Sequence, residues 1–376
     1  MHVLVSGAGI AGSTLAHFLT RAGHRVTLVE AAAAPRPGGQ AVDVRGPALE
    51  VVDRMGVGAE LRAAATDMRG MSVVAPDGTE LVSTTTTTLT GGPLDSPDVE
   101  ILRDDLTNLL AGSVTDAEWV FGDRVVGIDD DRVRLASGRT EQVDVVVGAD
   151  GLHSGVRRLV LPDAELRPLG SQLAVFTMPN VFGLDRWQVF CRYPDAMAGV
   201  YTARDNAEVR VNLGFEDDEV DDHRDLDAQR RRVAAAFAGR EWWIPRMLEG
   251  MGAAPDFYLA PMTQVVLPRW SAGRTVLLGD AAWCTTPLSG QGTTLALIGA
   301  YLLAHELGAR PVPEAFAAWE ERLRPVVEAD QRLAVENAER VAAMAEDLAS
   351  GDAVAAIGGG DEHWSATSAA TSLELP

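Results

Sequence analysis

Residues 2–30 constrain this chain more than any other stretch. An apolar run, His2 to Ser6, leads into Gly7-Ala8-Gly9-Ile10-Ala11-Gly12, and from Ile10 to Ala22 the pattern is helical. Gly23 ends that helix, and Arg25 to Val29 reads as a second strand finishing on Glu30. A strand that feeds a G-x-G-x-x-G turn, then a helix, then a strand with an acidic end, is the fingerprint of a dinucleotide-binding βαβ unit. Gly7 permits the tight turn, Gly9 lets a pyrophosphate approach the backbone, and Gly12 lets helix and strand pack closely. The free N–H groups at the helix N-terminus then face the diphosphate. Glu30 is placed to accept hydrogen bonds from adenosine ribose hydroxyls. The alternative is a glycine-rich turn without a ligand, and the turn alone does not separate NAD from FAD.

Composition excludes several other chemistries. The chain has 376 residues, 32 basic and 54 acidic, for a net charge of −22. That balance argues against nucleic acid, which requires clustered cations, and against an anionic membrane surface. All 32 basic residues are Arg. Without lysine there is no Schiff-base catalysis and no Walker-A lysine, although the arginine bias has a plain alternative in a GC-rich genome. Cys191 and Cys284 imply no disulfide framework, and a reducing cytoplasm fits. The apolar N-terminus has no preceding Lys or Arg and does not read as a signal peptide. The longest apolar stretch, Leu295 to Ala304, is about half the length that crosses a bilayer. The histidines show no metal-ligand spacing, and no HExxH, CxxC or GxSxG occurs.

At about 150 residues per domain the length suggests two to three domains. The pattern predicts a helix near Pro47–Met55, hairpin strands in 69–102, a helix over Asp104–Ala111, strands over Arg124–Leu135 and a buried strand at Val143–Gly148. From Leu166 to Pro268 alternating segments predict a mostly antiparallel sheet with one helix near Asp225–Ala238. The acidic run Glu216–Asp222 reads as a solvated turn. The βα texture returns at Arg274–Gly279, followed by a helix from Gln291 to Leu307. A last helix follows, kinked at Pro325. The expected division is a discontinuous dinucleotide domain (1–68, 98–165 and 269–310), a second domain (69–97 and 166–268), a C-terminal helix (313–348) and a flexible tail (349–376).

Two further motifs complete the set. Gly148-Ala149-Asp150-Gly151-Leu152-His153-Ser154-Gly155-Val156-Arg157 follows a buried strand. Gly279-Asp280-Ala281-Ala282 continues through Pro287-Leu288-Ser289-Gly290-Gln291-Gly292 into a helix. With the first motif, in this order, they resemble the FAD-dependent class A monooxygenases, the para-hydroxybenzoate hydroxylase-like flavoproteins, over roughly residues 1–345. The resemblance implies a Rossmann-like α/β FAD-binding domain with an inserted α+β substrate domain. Asp280 suits the ribityl hydroxyls, and the Gly290–Gly292 turn presents a helix N-terminus to the flavin's pyrimidine edge. By the resemblance, Asp150 lies near the FAD pyrophosphate and Arg103 contacts FAD. Gly39-Gln40-Ala41-Val42-Asp43 resembles the segment beside the flavin in tetracycline-degrading members, which gives Asp43 to FAD and Arg36 to the nicotinamide cofactor's phosphate. Trp283 departs from the His that many members carry. Trp283, Cys284 and Pro287 become candidate cavity walls, with ordinary packing as the alternative.

The implied reaction reduces FAD with NADH or NADPH, adds O₂ to give a C4a-hydroperoxyflavin, and hydroxylates an electron-rich aromatic or polycyclic substrate. No side-chain nucleophile is required. Gln188, Phe190, Arg192, Tyr201 and Asn212 are the candidates that face the substrate. Many polyketide-modifying hydroxylases carry an extra thioredoxin-like domain for which this chain stops too early, so it is similar to the compact members. Glu241-Trp242-Trp243-Ile244-Pro245 is similar to a halogenase element, but its spacing is wrong and halogenases relay hypohalous acid through lysine. A flavoprotein reductase of isoprenoid double bonds and a flavin-binding protein without turnover stay open, as do the substrate and the choice among hydroxylation, epoxidation and ring-oxygen insertion.

Overall fold

Val3, Leu4 and Val5 are all fully buried, although consecutive strand residues point to opposite faces. Both faces are therefore covered, as in a parallel sheet between helices. The computed structural model describes residues 1–34, 38–89, 92–217, 225–350 and 369–376, with the backbone alone over 341–350. His2–Ser6 pairs in parallel with Arg25–Glu30 on one side and Val145–Gly148 on the other. The six-stranded sheet runs Ser271–Ala272, Thr275–Leu277, Val145–Gly148, His2–Ser6, Arg25–Glu30, Glu118–Phe121. Helix Gly292–Ala309 buries Leu295, Leu297, Ile298, Leu302 and Leu303 and lies along helix Ile10–Arg21. Each such leucine stabilises the fold by about 1.5–3 kcal/mol.

A second, seven-stranded sheet runs Tyr258–Val265, Leu166–Pro179, Glu208–Glu216, Ala196–Ala203, Gln188–Tyr193, Met71–Val74, Glu80–Thr84. Its strands all fall within 69–97 and 166–268, and it is antiparallel except where Gln188–Tyr193 meets Met71–Val74. One face packs Phe176, Phe215 and Val189 against Phe237 and Met247, around helices Leu226–Ala236 and Ile244–Ala253. Strand alternation sends Phe190 to the opposite face, where it joins Met71 and Val73.

The last helix is continuous from Val312 through Pro325 to Ser350. The tail expected to be flexible has a docked end. Ala369–Ser372 forms a short 3₁₀ turn with Ala370 buried, and Leu373 and Leu375 pack on the main core. Arg322 donates to the Glu374 carbonyl, and Tyr301 and Arg54 both donate to the Pro376 carbonyl. The two leucines supply apolar area and the polar partners hold the backbone. In the acidic run, Glu216 ends a strand and Asp217 accepts two hydrogen bonds from Arg232 at 2.5 and 2.7 Å. Residues 218–222 lie outside the described residues. No helix among the described residues is long and apolar enough to cross a membrane.

Candidate active site

Between the two sheets lies a cavity of about 870 Å³. It collects residues from all three glycine-bearing motifs: Gly7, Gly9 and Glu30; Asp150 and Gly151; Gly279, Asp280, Gly290 and Gly292. Far-separated segments of the chain meet here because the parallel strands end side by side at the same sheet edge. Ligand sites of open α/β sheets lie beyond that edge.

The first turn is held tightly. Gly7 has φ +104°, and a Cβ there would sit 2.3 Å from the Ala149 carbonyl oxygen. A Cβ on Gly12 would come within 1.9 Å of the Gly7 carbonyl oxygen, so Gly12 is buried in the helix–turn contact and not at the cavity wall. Gly9 is different: its Cβ would meet nothing within 4 Å. Glu30 uses one carboxylate oxygen to accept from Ala8 N at 2.9 Å and the other to accept from Ala32 N at 2.8 Å. A carboxylate has about four lone-pair positions, so acceptor capacity is left for the cavity.

Asp150 has a local job that sequence reasoning did not foresee. Its Oδ2 accepts from Gly155 N at 2.8 Å and Val156 N at 3.1 Å, and its Oδ1 accepts from the Ser154 hydroxyl. It shapes the turn into helix Gly155–Val160 while lining the cavity.

Asp280 is exposed, and the space it faces is the cavity, where protein atoms crowd round its carboxyl. That desolvation pushes its carboxyl above the ordinary range, while the Cys284 thiol beside it pulls the other way. The buried Cys284 thiol is itself pushed well up, by desolvation and then by Asp280. Asp43 is 7% exposed and accepts from Arg45 at 2.8 Å through Oδ2, while Oδ1 has no partner. Burial pushes its pKa up to about 7 despite the opposing Arg45, with Glu100 and Asp98 adding to the rise. Gln291, which precedes helix Gly292–Ala309, is fully buried with an unpartnered Oε1. Neither Arg45 nor Gln291 was singled out from sequence. Arg45 stands two residues after Asp43, just past strand Ala41–Val44, and that spacing was the available signal.

Residues 38–41 are clamped between the start of helix Arg103–Gly112 and the seven-stranded sheet. Gly38 N donates to Asp104 at 3.0 Å, Arg103 donates to the Gly38 carbonyl at 3.3 Å, and Arg210 donates to the Gly39 carbonyl at 3.1 Å. The Tyr258 hydroxyl donates to the Gln40 side chain, and burial pushes that phenol up to about 12. A Cβ on Gly39 would lie 2.5 Å from Arg103 Nε. Arg103 thus reaches the cavity while bracing the segment that passes it.

On the seven-stranded sheet, Phe190, Arg192 and Asn212 face the cavity, and Pro287 lines it from the opposite wall. The Phe190 ring lies across Gly199, where a Cβ would be 2.1 Å from it. Arg192 has no hydrogen-bond or ion-pair partner among the described residues, and desolvation lowers its pKa. Asn212 Nδ2 is buried and unpartnered. Gln172, Leu173 and Met197 share this wall and were missed, because strand alternation assigns a face only once the register is known.

Three expected wall residues are elsewhere. Gln188 is fully buried beyond the cavity, where its side-chain oxygen accepts from Leu89 N at 3.2 Å. Tyr201, paired opposite Gln188, spends its hydroxyl on Ala41 N, and the 38–41 segment covers it. Trp283 is 1% exposed and turns away into a tryptophan cluster, filling the slot that Gly299 leaves open. Arg36 lies outside the described residues.

The family model described as "FAD binding domain" matches residues 1–315. A protein of Mycobacterium tuberculosis (strain ATCC 25618 / H37Rv) is 48% identical over 315 residues, which is 82% of this chain and 85% of that one. A flavin-dependent monooxygenase of Legionella longbeachae (serogroup 1, strain NSW150) is 34% identical over 342 residues, 89% of this chain and 87% of that one. The chain belongs to the FAD-dependent class A monooxygenases. The crystal structure of tetracycline destructase Tet(51) superposes with a TM-score of 0.86 at 31% identity, covering 100% of this chain and 99% of that one.

The residues of this monooxygenase fit FAD. Gly9 faces the cavity with no packing reason to lack a side chain, which leaves room for a ligand against the backbone. The Asp43 Oδ1 at the cavity, without a partner among the described residues, would cost about 1–3 kcal/mol if left unpaired. A bound group that accepts a hydrogen bond from the protonated carboxyl removes that cost. Glu30 would hold the ribose, the Gly7–Gly12 turn the diphosphate, Asp280 the ribityl chain, and the N–H groups beginning at Gly292 the ring's polar edge.

Proposed function

We propose that this flavoprotein uses NAD(P)H and O₂ to hydroxylate a polycyclic aromatic small molecule with an anionic or carbonyl-rich edge. The observation that carries this reading is the cavity face of the seven-stranded sheet. Phe190 offers a flat apolar platform over Gly199, flanked by two donors without a partner among the described residues, Arg192 and the Asn212 amide. Arg192 and Asn212 stand on strands two apart, so their lateral separation is about 10 Å. Fused rings span that distance better than a single benzoate ring. The likeness to a tetracycline destructase supports the same substrate class.

FAD, when bound, supplies the redox chemistry and the activation of oxygen. The chain supplies position and dryness. Arg192 orients an enolate or phenolate oxygen, and its fixed charge favours the ionised, more electron-rich form of the substrate. Asn212 fixes the far end, while Phe190, Leu173 and Met262 keep water from the reacting face. Asp43, about half protonated near pH 7, can hold or release a proton beside the cofactor position. The two cysteines are free and buried, which suits a cytoplasmic enzyme.

The experiment is substrate-stimulated NAD(P)H oxidation across aromatic polyketides and simple benzoates, with native protein and Arg192→Gln. Stimulation by polycyclic enols, with KM raised about 10- to 100-fold by the variant as expected for a lost charged hydrogen bond, supports the reading. Stimulation by benzoates alone, or a variant with unchanged KM, overturns it.

A further inference from the structure

Trp270, Trp283 and Trp319 are the three largest fully buried side chains among the described residues. Their ring centres are 4.7 Å apart for Trp270–Trp283, 5.3 Å for Trp270–Trp319 and 5.5 Å for Trp283–Trp319. Each indole thus touches the other two.

The cluster is joined to the FAD cavity through short covalent paths. Trp283 ends the four-residue helix that begins with Asp280, and its next neighbour is Cys284; both Asp280 and Cys284 line the cavity. The Trp283 ring also packs on Gly299, in the helix whose first turn, Gly292 and Thr293, lines the cavity. Trp319 donates its indole N–H to the Gly299 carbonyl at 2.8 Å.

The three rings differ in electrostatic setting. The Arg324 guanidinium lies 4.6 Å from the Trp270 ring centre, held there by Glu320 and the Leu267 carbonyl. A fixed cation against an indole face opposes loss of an electron from that indole, because the product would be a second positive charge in contact with the first. Among the described residues no cation lies over Trp283 or Trp319. Those two are the more easily oxidised members, and Trp283 is the one beside the cavity.

We propose that the cluster is a one-electron relay serving the FAD cavity, with Trp283 as the entry point and Trp319 as the site to which the electron vacancy moves. An oxidant in the cavity takes one electron from the Trp283 indole; no bond forms or breaks, the oxidant is reduced by one electron and Trp283 is oxidised by one. Trp283 regains an electron from Trp319, and Arg324 keeps the vacancy off Trp270. In the cell the oxidants are oxygen radicals formed when reduced cofactor passes single electrons to O₂. In the laboratory the oxidant is photoexcited oxidised FAD, and the electron it gains returns to the tryptophans to close the cycle. The relay rests on FAD occupying the cavity, not on which substrate is hydroxylated.

The test is the excited-state decay of FAD bound to the full chain, with transient absorption of the tryptophan radical. Native protein should show strongly quenched FAD emission. Trp283→Phe should lengthen the emission decay severalfold at unchanged FAD stoichiometry. Trp319→Phe should leave the initial decay alone and shorten the life of the radical signal, whereas Trp270→Phe should change neither. If Trp283→Phe does not fold, biosynthetic 4-fluorotryptophan, which keeps the shape and is harder to oxidise, should slow the decay. An unchanged decay in Trp283→Phe or in the fluorinated protein overturns the proposal. So does a longer decay in Tyr193→Phe alone, since Tyr193 lines the cavity from the opposite sheet.

Discussion

Asp43 accepts a 2.8 Å hydrogen bond from Arg45 through one carboxylate oxygen and leaves the other without a partner among the described residues. Burial lifts its pKa to about 7. FAD would displace water from its remaining open side, which raises that pKa further and couples binding to proton uptake. FAD affinity should therefore fall as pH rises through about 7, and Asp43→Asn should flatten the dependence; a pH-independent dissociation constant in the native protein excludes the coupling. The same group acts on folding of the apo-protein. It is neutral when folded and ionised when unfolded between about 3.9 and about 7. Its contribution to stability is thus complete below that window and lost as pH rises through it.

Asp280→Ala should fold normally and bind FAD about 10- to 100-fold more weakly, the loss expected for charge-assisted hydrogen bonds of about 1.5–3 kcal/mol. Asp280 is exposed to the cavity and its pKa is raised rather than lowered by its surroundings, so the apo-protein should be no less stable without it. FAD titration of apo-protein, with circular dichroism as the folding control, measures both.

The glycines of the first turn should separate by role. Gly12→Ala drives a methyl to 1.9 Å from the Gly7 carbonyl oxygen and should cost about 3 kcal/mol or more, the upper end for overpacking. Gly9→Ala meets nothing within 4 Å and should leave apo-stability within about 0.5 kcal/mol, while FAD affinity collapses. Thermal melts with and without FAD distinguish the two; equal loss of stability in both variants would mean that Gly9 is a packing residue.

Gly199→Ala should dislodge the Phe190 ring, which sits 2.1 Å from the new methyl. The expected result is a higher KM for a polycyclic substrate with FAD affinity unchanged. A parallel fall in FAD affinity would place Phe190 in the cofactor half of the cavity.

What could be read before folding was set by chain-local geometry. The turn at Gly7–Gly12, the acidic end at Glu30 and the helix starting near Gly292 are each encoded within a few residues, and the cavity collects all of them. The substrate wall was harder. Gln188, Phe190 and Arg192 share one strand face, yet only the last two line the cavity. What engages Gln188 is Leu89, 99 residues away. Tyr201 is diverted by Ala41 in the same way, 160 residues distant. Trp283 was read as a wall because its sequence neighbours are walls; a one-residue step along a helix turned its ring to Gly299. The orphaned atoms of Asp43, Gln291 and Asn212 have no sequence signature, since a missing partner is a property of the folded surroundings.

Turnover under isotope-labelled dioxygen, with NADPH or NADH and a polycyclic aromatic enol, decides whether this cavity oxygenates its substrate. One labelled oxygen atom should enter each product molecule for each NAD(P)H consumed. A product carrying no label from dioxygen, or a reduced product formed equally well without O₂, would show that the chain is not a monooxygenase.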